Sequence, residues 1–85
     1  MVDLTTPASQ MGRVLAVMRD GQERTLRQIE SECRGRFGHA DTQPAISARL
    51  REAHLHGYDK SARMERQHSK QVWFYKLSPL KEDNA

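Results

Sequence analysis

The chain is predicted to be one α+β domain, three helices followed by a C-terminal β-hairpin. Three stretches repeat apolar residues at steps of three and four, the period of a helix with one buried face. A later run, Val72 to Leu77 (VWFYKL), is β-branched and aromatic almost throughout, which suits a strand. With 85 residues there is room for a single thin core, because a domain this small buries only about 60–65% of the surface its unfolded chain exposes.

The first helix is expected where Met11, Val14, Leu15, Val17 and Met18 recur on one face. Thr5, Thr6 or Ser9 would cap it, with Pro7 near its first turn, and Asp20-Gly21 would stop it. Gln22 to Thr25 reads as a polar connection. Thr25 then precedes Leu26 with Gln28 three positions on, the arrangement of a capping box. Leu26, Ile29 and Cys33 carry a short second helix of about nine residues to the neighbourhood of Gly35.

Arg34 to Asp41 reads as a glycine-broken loop with Phe37 plugged into the core. Asp41 or Thr42 would cap the third helix, with Pro44 in its first turn, where a missing N–H does no harm. Ile46, Leu50 and Ala53 form its buried stripe and Gly57 its stop. Tyr58 to Met64 and Gln71 to Leu77 are the two predicted strands, joined by a polar tip over Glu65 to Lys70. Alternation puts Trp73, Tyr75 and Leu77 on the core face and leaves Phe74 partly exposed. The expected division is a flexible lead-in over 1–8, the domain over 9–78 and a disordered tail over 79–85.

Charge is distributed unevenly. Residues 1–33 hold four basic and five acidic side chains, whereas residues 34–76 hold nine basic and four acidic ones and all four histidines. A one-sided basic surface is the footprint expected of a polyanion partner. The single Cys33 fits a reducing compartment, and no segment has a secretory pattern or a membrane-spanning apolar run. The expectation is a soluble cytoplasmic protein with no membrane partner.

TLRQIE, then TQPAISARLREAHLHGY, then a basic hairpin closing on VWFYKL, resembles the winged helix-turn-helix superfamily, in the style of small phage and bacterial DNA-binding proteins. The likeness covers roughly residues 10–77 and is strongest in the third helix. It implies double-stranded DNA binding, by a small transcriptional regulator or a phage DNA-transaction factor. The third helix, 42–57, would lie in the major groove and the wing, 60–70, on the backbone or minor groove. One departure stands out. The loop from Arg34 to Asp41 is about twice the usual three- or four-residue turn, so an altered crossing angle or an extra turn around Phe37 is expected.

On the third helix, Pro44, Ser47, Ala48 and Arg51 point away from the Ile46 stripe or to its side, and the face most able to enter a groove is Gln43, Ser47 and Arg51, with Thr42 at the cap. Arg51 would pair with guanine or clamp a phosphate, and Gln43 would meet adenine or a phosphate at the helix N-terminus. Ser47 would touch a base edge or a phosphate. Arg49 lies nearer the core and would serve an ion pair with Glu52 or Glu30, or a phosphate at the rim. The wing offers Lys60, Arg63, Arg66, His68 and Lys70, and the loop offers Arg34 and Arg36. Few phosphate contacts mean weak binding as a monomer at physiological salt, so specific binding would favour a homodimer or tandem sites.

No metal site and no cofactor are expected. The histidines and Cys33 lack ligand spacing, and His54 and His56 would face different ways on a helix. No phosphate loop or nucleophile motif is present, so no catalytic residue is assigned, and Cys33 is read as core. The competing expectation is a winged helix that binds a host or replication protein through the hairpin face near Phe74, since fold does not fix function.

Overall fold

A computed structural model describes residues 9–80. The expected lead-in over 1–8, with Thr5, Thr6 and Pro7, and the tail from residue 81 lie outside the described residues. The element order is α1 (Gln10–Met18), α2 (Leu26–Phe37), α3 (Gln43–Arg51), a short 3-10 turn (Ala53–His56), β1 (Tyr58–Gln67) and β2 (Lys70–Pro79). This is an α+β arrangement of three packed helices followed by a C-terminal antiparallel hairpin, and it is consistent with a winged helix.

Each helix begins at a side-chain cap. The Ser9 and Thr42 hydroxyls accept from the backbone N–H groups of Gly12 and Ala45, and Thr25 with Gln28 closes a complete capping box. The core is one cluster: Val14, Val17 and Met18 from α1, Ile29 and Cys33 from α2, Ile46 and Leu50 from α3, then Ala53 and Leu77. Phe37, Tyr58 and Tyr75 pack at its edge.

The expected long loop is shorter than its sequence suggests. α2 continues through Gly35 to Phe37 and ends at Gly38, whose φ of 68° provides the left-handed C-cap. A glycine inside a helix costs about 1 kcal/mol relative to alanine. Docking of Phe37 on the core and the Glu32–Arg36 ion pair one turn apart offset that cost. The turn between α2 and α3 is therefore only Gly38 to Thr42, close to helix-turn-helix length. Arg34 and Arg36 accordingly stand on the last turns of α2 and not in a loop.

Two other boundaries moved. The third helix is interrupted: Glu52 leaves the α-helix and a 3-10 turn carries the chain to Gly57, whose φ is 87°. The strands are longer than expected, ten residues each, because only His68 and Ser69 form the turn. Both have positive φ, 50° and 66°, the conformation of a type I′ turn made without the usual Asn-Gly. The chain beyond β2 is also held, since Leu80 N–H donates to Gly57 C=O at 3.0 Å.

Strand length decides what happens to Trp73. A ten-residue strand spans about 33 Å, and the twelve-residue α2 about 18 Å, so the strands outrun the packed core. Along the face that meets them, Leu77 is buried, Tyr75 half-buried and Trp73 46% exposed. Alternation puts Trp73 on the correct side of the sheet, but at its height that side meets an open groove and not the core. Phe74, on the opposite side, is half-buried.

Candidate nucleic-acid interface

The hairpin is attached to the helices by features that composition did not reveal. Between α1 and α2 the chain adds a one-residue bridge to β2: Arg24 and Tyr75 exchange N–H···O=C bonds of 2.9 and 2.8 Å. The "polar connection" thus acts as a third, very short strand. Arg63 of β1 crosses the outer face of the hairpin, with its guanidinium 4.7 Å from the Phe74 ring centre. It makes two 2.9 Å bonds to Glu23 and also bonds Glu65. Its pKa is raised by those carboxylates, Glu23 first, and Glu23's is lowered in turn. Arg63 therefore clamps the wing to the connection and covers Phe74, and it is the least available of the expected wing contacts.

Beneath α3, a second contact missed by sequence reading fixes the helix start. Asp41, offered above as a cap, is instead buried and accepts two 2.8 Å bonds from Arg13 of α1 and one of 3.1 Å from Gln10. The paired Arg13 guanidinium holds the Asp41 carboxyl at about 2, below its ordinary 3.8. Cys33 lies beside this pair, and its thiol is pushed up to about 11, by burial first and then by the Asp41 charge. An inert thiol of this kind behaves as a core residue. The residue ahead of the Thr42 cap is thereby locked to α1, so α3 leaves the core in one direction.

On α3, Thr42 caps the helix and Arg51 is exposed at its end. Gln43 and Ser47 are half-buried, and the Gln43 amide donates to Glu30 of α2 at 3.1 Å. Arg49 pairs with Glu52 at 3.1 Å, one of the partners anticipated for it, and its Nε is buried without a hydrogen-bond partner. Arg36 is held by Glu32 at 2.7 Å. Lys60 lies 5.9 Å from the Tyr75 ring centre. Arg34, Arg66 and Lys70 are exposed, and among the described residues none of them, nor Arg51, has an ion-pair partner. His68 occupies the exposed turn itself.

Ion pairing sorts the charges. Among the described residues six of the eight carboxylates are consumed by five arginines, and the eight remaining Lys and Arg side chains are balanced only by Glu30 and Asp59. Within residues 9–80 the charge not engaged in ion pairs is thus mostly positive.

Between the start of α2, the start of α3 and the outer hairpin lies an open groove of about 450 Å³. Thr25, Arg27, Gln43, Gln67, Gln71 and Trp73 are among its lining residues, and among the described residues no carboxylate lines it. No family model, no curated protein and no solved structure matches the chain. Among the described residues no helix is long and apolar enough to cross a membrane.

Proposed function

We propose that the protein binds double-stranded DNA, with α3 entering the major groove and the wing resting on the backbone or minor groove. The observation that carries this reading is the sorted charge: the cations without ion pairs include Arg51 at the end of α3, Arg34 at the end of α2 and Arg66 and Lys70 beside the wing turn. The outward positions of α3 add to it. Pro44, Ser47 and Ala48 are small, so the helix backbone can approach a groove floor. In this reading Arg51 supplies a base or phosphate contact, Thr42 and Gln43 lie nearest a phosphate at the helix start, and Arg34, Arg66 and Lys70 hold the backbone. Arg36, Arg49 and Arg63 serve first as intramolecular partners that shape the surface. A regulatory role, or one in a phage DNA transaction, would use the same face.

The protein-docking alternative rests on the modest net charge of +3 and on a partly exposed Phe74. The Arg63 guanidinium over that ring removes most of its apolar appeal. The test is binding of a fluorescently labelled duplex to the wild-type chain and to Arg51→Ala combined with Arg66→Ala. The double variant is expected to lose about 2 kcal/mol or more, on the scale of 1–3 kcal/mol for one good arginine contact to a base edge. Unchanged affinity would remove both α3 and the wing from the interface.

A further inference from the structure

Trp73 is the one tryptophan of the chain, and it is 46% exposed on the helix-facing side of the hairpin. It stands opposite Met64, itself 39% exposed, at the fourth pair from the turn. An aromatic wall this open has no role in the core. It belongs to the groove of about 450 Å³ beside the starts of α2 and α3. Gln43, Gln67, Gln71 and Arg27 are among the other residues that line it, and the register puts Gln71 on the same face as Trp73. Among the described residues, neither Gln67 nor Gln71 has a side-chain hydrogen-bond partner.

We infer that this groove holds one unpaired nucleotide of a DNA strand, stacked on Trp73 with its base edge facing the glutamine amides. The inference deepens the DNA-binding reading and rests on it. An indole face attracts any base by stacking, whatever its identity. A carboxamide carries both a donor and an acceptor, so Gln71, on the Trp73 face, can meet the mixed pattern of a base edge, and Gln43, whose amide donates to Glu30, can add its oxygen as an acceptor. Arg27 suits the attached phosphate. The volume falls within the usual range of small-molecule sites, about 300–1,000 Å³. A base inside a duplex has its face stacked and its Watson–Crick edge paired, so it can offer neither of these to the groove. An extruded or single-stranded base can offer both. The groove lies beside the start of α3, where a strand following that helix would pass.

Trp73 reports on its own occupancy, because its fluorescence belongs to no other residue. The full chain is titrated with three probes: a blunt duplex, the same duplex with one unpaired thymine, and a short thymine single strand. The bulged duplex and the single strand are expected to quench Trp73 and the blunt duplex to leave it bright. Trp73→Ala, measured by anisotropy of the labelled probes, is expected to weaken the bulged duplex by about fivefold or more and the blunt duplex little. Trp73→Phe should restore most of the difference, because it keeps a stacking face. Equal affinity for bulged and blunt duplexes without quenching would overturn the groove and leave the duplex reading standing. Quenching by the unpaired probes with no binding of the blunt duplex would support the groove and overturn the duplex reading. Failure of all three probes to bind would overturn both.

Discussion

At the residue scale the most consequential contact is the buried pair Arg13–Asp41, which fixes α1 against the start of α3. Both side chains are almost inaccessible, so removing Arg13 leaves a buried carboxylate without its counter-charge. Arg13→Ala is expected to destabilise the fold by about 3–5 kcal/mol in urea unfolding, a large part of the 5–15 kcal/mol typical of a domain. The same pair sets an acid limit. Asp41 is held at about 2 against an ordinary 3.8, so its contribution is complete above about pH 4 and is lost as pH falls toward 2. The difference amounts to about 2 kcal/mol, and it should disappear from the pH profile of Asp41→Asn. A buried thiol near 11 adds nothing to that window, since Cys33 stays protonated throughout. Sequence reading placed Cys33 in the core from its spacing with Ile29, but gave no sign of Arg13, because a buried arginine breaks the apolar pattern of α1.

At the element scale the hairpin carries most of the unforeseen behaviour. Its turn places His68 and Ser69 in the left-handed region, where Asn-Gly is the preferred pair. His68→Asn with Ser69→Gly is expected to stabilise the chain by about 1 kcal/mol, raising the melting temperature by roughly 4–8 °C for a domain of this size. A fall in melting temperature would show that the turn is not of this type. The Arg63 clamp holds the wing to Glu23, beside the Arg24–Tyr75 bridge. Arg63→Ala should therefore speed hydrogen exchange at the Arg24 and Tyr75 amides while the α-helical core amides stay protected.

The helices were legible because caps and apolar period agreed at each start: Thr25 with Gln28, and Thr42 ahead of Pro44. The α2 end was not, since Gly35 reads locally as a stop and only the docking of Phe37 shows otherwise. Trp73 was misplaced for a related reason. Alternation gives the side of a strand, but not how far along it the neighbouring layer extends.

At the scale of the whole molecule, charge sorting links fold to function. The candidate site was readable as a set of residue types, but which arginines remain available depends on long-range pairs such as Glu23–Arg63, forty positions apart. Four cations without ion pairs, Arg34, Arg51, Arg66 and Lys70, are assigned to the DNA backbone or base edges. Duplex affinity measured from about 50 to 200 mM salt tests that assignment most directly. A log–log slope of about −3 to −4 is expected for the wild-type chain, reduced by about two in Arg51→Ala combined with Arg66→Ala. Affinity that is undetectable at the lowest salt, or a slope near zero, would contradict DNA binding by this face.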